Sequence, residues 1–356
     1  MKLDGGLVTR AARKGSVGPL GDAADNARSL EAAGYDGVWS AELDHDPFLP
    51  LVLAAEHTSR IQIGTSIAVA FARNPMVLAN LGWDLQAYSG GRFILGLGSQ
   101  IKPHITKRFS MPWSHPAARM KEMVDAIKAI WDGWETGERL SFRGEFYQHT
   151  LMTPMFSPGA NPHGPPPIHL AAVGDLMTEA AGESADGWIS HGFTTPSYVR
   201  EVSLPALERG AARAGRDPMD IEVSMPVFIV TGESEEEMAS SAQAARQQLA
   251  FYGSTPAYRP VLEHHGWGDA QDELNRMSKQ GQWVEMADVI DDTMLGTFGV
   301  VAEPQNLARG VASSYGGLID RMSFGQGLRT DGPWAEVREA LRAIPGRSPA
   351  GSNSNY

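Results

Sequence analysis

The sequence predicts a TIM-type (β/α)8 barrel, an α/β fold closed on itself, and three observations lead there. Short apolar runs of strand type alternate with helix-period segments along the chain, the pattern of repeated βα units on a parallel sheet. Eight such runs occur, each followed by a helix, and eight is the number at which a parallel sheet closes. The 356 residues suit one barrel of roughly 250 to 400 residues. We read a single domain over 1–345, with a small, polar tail at 346–356 expected to be disordered.

The elements follow in order. Leu7-Val8 opens the series, with a helix from about Pro19 to Gly34. Val38-Trp39 comes next, then a helix over Pro47 to Ser59. Ile61-Gln62-Ile63 leads to a helix from Pro75 to Tyr88, and Phe93-Ile94-Leu95 follows the turn Ser89-Gly90-Gly91. Met120, Met123, Val124, Ile127, Ile130, Trp131 and Trp134 then mark one apolar helical stripe. Ile168-His169-Leu170 precedes a helix from Gly174, and Trp188-Ile189 a helix from Pro196 to Ala214. Val223 to Val230 precedes an acidic-capped helix over Glu235 to Phe251. Leu318 to Phe324 closes the set before a last helix near Pro333 to Ile344.

Three stretches stand outside the repeat, at about 101–115, 137–167 and 252–295. The first carries a basic loop. The second reads as a hairpin, Leu140-Ser141-Phe142 with Glu145-Phe146-Tyr147, and then a proline-rich loop. The third is rich in Trp, His and acidic residues. Insertions at barrel loops shape the active-site mouth, so these are lid candidates, with surface decoration or a dimer contact as the alternative.

Composition narrows the function. There are 30 Lys+Arg against 42 Asp+Glu, a net charge of −12. That balance opposes nucleic acid as the main partner. Zero cysteines remove disulfides, thiol nucleophiles, iron–sulfur clusters and thiolate zinc sites. The start lacks the apolar stretch of a signal peptide, and no run of about 18 apolar residues suggests a membrane span. A cytoplasmic enzyme acting on a small molecule, with no membrane partner, is the expectation.

In such a barrel chemistry sits where the strands end. After the second strand comes Glu42-Leu43-Asp44-His45-Asp46. A histidine beside carboxylates moves protons near neutral pH; alternatively, Asp46 simply caps the next helix. After the third comes Gly64-Thr65-Ser66-Ile67-Ala68, small enough for a flat ligand to approach the backbone. After the fourth comes Gly96-Leu97-Gly98-Ser99-Gln100, with Lys102, His104, Lys107 and Arg108 beyond. Ile101 stands where a dinucleotide fingerprint needs its third glycine. After the fifth, Ala171-Ala172-Val173-Gly174-Asp175 enters a helix. The bare amides there suit a phosphate, or the segment is a glycine-containing turn. A metal-dependent barrel hydrolase would want a compact ligand motif. The sequence offers instead the scattered His45, His169, His191 and the pair His264-His265.

Four segments carry a resemblance: Glu31 to Trp39 (EAAGYDGVW), Ile63-Gly64-Thr65-Ser66-Ile67, Ser89 through Gly98 (SGGRFILGLG) and Ala185-Asp186-Gly187-Trp188. In this order and spacing the chain resembles the bacterial luciferase-like superfamily and, within it, the coenzyme F420-dependent oxidoreductases. The resemblance also implies the TIM-type barrel. It implies a non-proline cis peptide at Ser66–Ile67 behind the deazaflavin ring, with Gly98 and Ser99 lining the ring or its side chain. It places Ala172, Val173, Gly174 and Asp175 on the phosphate and His191 near the phosphate or tail. Lys102, Lys107 and Arg108 would neutralise the acidic tail, and a homodimer or larger homo-oligomer is expected.

Two positions depart from the family pattern. Asp44-His45 follow two residues later than the family's Asp-His pair, whose ungapped positions hold Glu42 and Leu43, and Ile101 replaces a glutamate found in several deazaflavin dehydrogenases. His45, Glu42 and His104 are then the available acid–base groups, with His45 and Glu42 assigned to catalysis and Asp44 and His104 to the cofactor. The implied function is hydride transfer between F420 and an alcohol, carbonyl or activated alkene. The alternatives are a monooxygenase using reduced FMN and a non-catalytic flavin-binding barrel.

Overall fold

The computed structural model describes residues 1–7, 19–324 and 334–347. Eight parallel strands close a barrel: β1 (Lys2–Gly6), β2 (Gly37–Ser40), β3 (Gln62–Thr65), β4 (Phe93–Gly98), β5 (Ile168–Ala171), β6 (Gly187–Ile189), β7 (Glu222–Val230) and β8 (Arg321–Phe324). Each pairs with the next, and β8 returns to β1 with Lys2 opposite Arg321. Closure leaves the ring itself without an edge.

Strand alternation decides what fills the barrel. Arg321 of β8 donates through Nε and Nη2 to both Asp4 carboxylate oxygens, at 2.8 and 2.7 Å. Its Nη1 donates to Gln62 at 2.6 Å and to Glu222 at 3.0 Å. Residues of β1, β3, β7 and β8 therefore meet on the barrel axis, and Arg321 and Asp4 are fully buried there. Two residues further along the same inward face come Gly6, Gly64, Ser224 and Ser323. Trp39 lies directly above this charged base, with the Arg321 guanidinium 5.2 Å from its ring. A Cβ on Gly64 would come within 2.5 Å of the Trp39 ring, so glycine there lets the indole lie against β3.

Helices surround the barrel. On Pro116–Thr136 all seven stripe residues from Met120 to Trp134 are buried, as their spacing predicts. A second apolar cluster, which includes Phe193, Leu249, Leu262, Leu274 and Phe298, forms beneath the late insertion.

Several boundaries differ from the sequence reading, each for a local reason. The first strand is Lys2–Gly6 rather than Leu7-Val8: Leu7 lies just past it and Val8 falls outside the described residues. The last strand begins at Arg321, three residues after Leu318. The second helix starts at Leu49 because the Asp46 carboxylate accepts from the Phe48 and Leu49 N–H groups. The hairpin pairs Phe142–Arg143 with Gln148–His149. Glu145 to Tyr147 form its tip, since the Glu122 carboxylate takes their three N–H groups. The insertion at 252–295 is largely helical, with Arg259–His264, Gly268–Lys279 and Asp292–Phe298. The last helix is Trp334–Arg342; Pro333 and the tail beyond 347 lie outside the described residues.

Candidate active site

The site grows from the strand ends. After β3 the chain turns through a cis peptide at Ser66–Ile67. Ser66 N–H donates to the Ser40 carbonyl at 2.8 Å, and the Ile67 carbonyl accepts from Glu42 N–H at 3.1 Å. The segment Ala68–Val69 then runs beside β4, placing Val69 opposite Gly98. A Cβ on Gly98 would lie 2.9 Å from the Ile67 side chain, so only glycine keeps this shelf flat.

Across the mouth, β5 leads into Gly174, whose φ of 77° favours glycine, and then the helix Asp175–Ser184. The first-turn amides of that helix have no partners four residues back, an arrangement that suits an anion. Next to it, His191 Nδ1 accepts from the Phe193 N–H at 3.0 Å. The neutral ring therefore carries its proton on Nε2. The ring stacks on Tyr258 at 4.5 Å and meets Tyr252 edge-on at 4.8 Å. Burial pulls its pKa to about 4, so the imidazole is an uncharged donor at neutral pH. Burial also pushes the Tyr258 hydroxyl up to about 12, with Tyr252 adding to the effect.

One cavity of about 1390 Å³ joins these parts. Ser66, Ile67, Gly98, Ser99, His191 and the whole Ala172–Asp175 turn line it, including Val173 and Gly174. The other four assigned residues are absent from its lining. Asp44 and His45 sit exposed on the loop after β2, with His45 Nε2 3.7 Å from the Asp44 carboxylate. His104 lies on the exposed π-helical turn His104–Arg108. Glu42 is buried and engaged by the loop after β3. Its Oε2 accepts from Val69 N–H at 2.7 Å and from Arg73 at 2.6 Å, clasping the loop after β3.

Of the basic loop, Lys102 lines the cavity. Arg108 instead ties this loop to the one after β2 by donating to the Leu43 carbonyl. The three insertions separate clearly. Tyr252, Ala257 and Tyr258 from the late one, and Ile101, Lys102, Trp113 and His115 from the first, form cavity wall. Residues 137–167 supply no lining; their hairpin runs along the helix Pro116–Thr136, and Phe146 touches His115 at 5.9 Å. The aromatic wall residues Trp113, Tyr252 and Tyr258 were not singled out from sequence; the only signal was the aromatic richness of the two insertions.

The luciferase-like monooxygenase family profile matches residues 3–321. The chain belongs to the luciferase-like monooxygenase family. An uncharacterized Mycobacterium tuberculosis protein is 55% identical over 322 residues, covering 90% of this chain and 92% of its own. The F420-dependent glucose-6-phosphate dehydrogenase of Nakamurella multipartita is 33% identical over 224 residues, 58% of this chain and 63% of that one. Among solved structures, the coenzyme F420-dependent tetrahydromethanopterin reductase of Methanopyrus kandleri superposes with a TM-score of 0.74 at 19% identity, covering 97% and 98% of the two chains. A type II Baeyer–Villiger monooxygenase of Pseudomonas putida in complex with FMN gives a TM-score of 0.67 at 15% identity, covering 98% of each. Both share the barrel fold. Among the described residues of this luciferase-like chain, no helix is long and apolar enough to cross a membrane.

Proposed function

We propose that the chain is an F420-dependent oxidoreductase that moves a hydride between the deazaflavin and a small alcohol, carbonyl or activated alkene. One observation carries this reading: a single cavity connects the flat shelf at Ser66–Ile67 and Gly98 with an anion cradle at Gly174 and a neutral donor at His191. A planar ring bearing a phosphate side chain needs those two features in that relation. The bound coenzyme supplies a ring carbon that accepts or donates hydride.

The chain's own residues do the rest. Ile67 and Gly98 seat the ring, while Ser99 borders it. The Ala172–Asp175 amides and His191 Nε2–H hold the phosphate. Lys102 meets the acidic tail at the mouth. His45, exposed on the loop after β2 with the Asp44 carboxylate 3.7 Å away, is the proposed proton carrier. Self-association is part of the proposal: Leu49, Val52 and Val77 leave an exposed apolar face across the helices Leu49–His57 and Pro75–Tyr88. We place the protein in the cytoplasm, in keeping with a soluble coenzyme.

The second reading, a reduced-FMN monooxygenase, draws on the same phosphate cradle, which suits FMN too. Fluorescence titration with F420 and, separately, with FMN decides between them. Tight F420 binding with weak FMN binding is expected; the reverse preference overturns the hydride-transfer reading.

A further inference from the structure

The wall opposite the anion cradle has a different chemistry. From β7 through β8 and β1 to β2, the strand ends present Phe228, Phe324, Gly6 and Trp39 to the cavity, with the hydroxyl residues Ser224 and Ser323 between them. Trp39 is held from below by Arg321 and from the side by Gly64, and its ring lies 6.0 Å from His169. It is a fixed aromatic surface, 8% exposed, at the bottom of an open space.

Gly6 makes that space. It is the inward residue at the top of β1, and a Cβ there would meet no described atom within 4 Å. Its φ lies outside the left-handed region, so the backbone does not demand glycine. Among the described residues, what glycine leaves here is volume. The arc belongs to the same cavity of about 1390 Å³ as the shelf at Ser66–Ile67, so a body seated on it would lie in one space with the ring.

We infer that the β7–β8–β1–β2 arc binds an uncharged, planar, fused-ring ketone or enone, stacked in the space that Gly6 leaves above Trp39 and walled by Phe228 and Phe324. Aromatic rings set against a rigid indole and two phenyl groups gain both buried area and favourable edge and face contacts. Ser224 and Ser323 line the same arc, and their hydroxyls are the donors available there for the ligand's oxygen. The substrate role rests on the cofactor reading of the opposite wall, while the arc's own affinity does not.

The test uses fluorenone as the fused-ring probe and cyclohexanone as the single-ring control. Both are titrated into the full-length protein with and without F420. Fluorenone should bind at least about tenfold more tightly than cyclohexanone. Gly6→Leu, which puts a side chain into the open space, should weaken fluorenone by about tenfold or more and leave F420 affinity within about twofold. Phe228→Ala should weaken fluorenone as well, and decides the question if Gly6→Leu does not fold. Fluorenone binding no tighter than cyclohexanone, or indifferent to the substitution that folds, overturns the inference. Failure of F420 to bind the wild-type protein overturns the cofactor reading alone, because the arc is also assayed without it.

Discussion

His191 shows how one hydrogen bond sets a side chain's chemistry. The Phe193 N–H occupies Nδ1, two tyrosines enclose the ring, and burial holds the pKa at about 4. In the proposed phosphate site the group on offer is thus a neutral N–H rather than a cation. A histidine near its ordinary pKa would tighten anion binding as pH fell through 6.5. Here F420 affinity should stay flat between pH 8 and about 5, since the ring gains no charge in that window. His191→Phe keeps an aromatic ring but removes the donor to a charged group, and should weaken F420 by about 10- to 100-fold. Affinity that climbs steadily from pH 7.5 to 5.5 would show a cationic imidazole instead. That Ser66, Gly98, Gly174 and His191 line one cavity was legible because a parallel barrel delivers its strand ends to one mouth. The surroundings of Glu42 and His45 were not, because direction in a loop has no period: Arg73 pairs with one and the other stands exposed beside Asp44.

At the scale of elements, legibility followed the residues each element buries. The helix Pro116–Thr136 has one apolar face and a core against it, so its stripe was visible. Strand β1 turns Lys2, Asp4 and Gly6 inward, toward ion pairs and open space, so it carries no apolar run to find. The insertion at 252–295 packs around its own apolar cluster, and only its folding brings Tyr252 and Tyr258 to His191. The helices Leu49–His57 and Pro75–Tyr88 pose the converse case. Leu49, Val52 and Val77 are 55%, 42% and 44% exposed, although both helices also bury an inner face against the barrel. If this outer face joins two copies, Val52→Glu with Val77→Glu should reduce the sedimenting mass to that of a single chain. Exposed substitutions of this kind change folding stability by only about 0.5 kcal/mol, so circular dichroism should be unaltered. A wild-type protein that sediments as a monomer, or a variant that remains associated, would sink the assignment.

For the whole molecule, the charged base of the barrel links stability to pH. Burial alone would raise the Glu222 carboxyl, but Arg321, with His169 and Lys2, outweighs it and holds the pKa at about 2. His169 is driven the other way from its ordinary 6.5, chiefly by burial, to about 4. Both pKa values are lower in the folded chain than in the unfolded one, and the signs follow from that. Stability from Glu222 is complete above the unfolded carboxyl pKa of 4.5 and is lost as pH falls toward 2. His169 stays neutral in the barrel while the unfolded chain takes up a proton below 6.5, so its part is lost earlier, between 6.5 and 4. For a group this buried the loss is on the order of 3 kcal/mol, a large share of the roughly 5–15 kcal/mol that holds a protein folded. The urea midpoint should therefore be level above pH 7 and fall steeply from 6.5 to 4.5, before the carboxylates titrate. His191, shifted in the same direction, contributes to the same fall. His169→Gln keeps a polar side chain but cannot take the proton. It should lower stability at pH 7.5 through imperfect packing against Trp39 and Gly187, yet remove about half of the slope between 6.5 and 4.5. A variant with the wild-type slope would mean that the acid response of the barrel does not come from its buried imidazole.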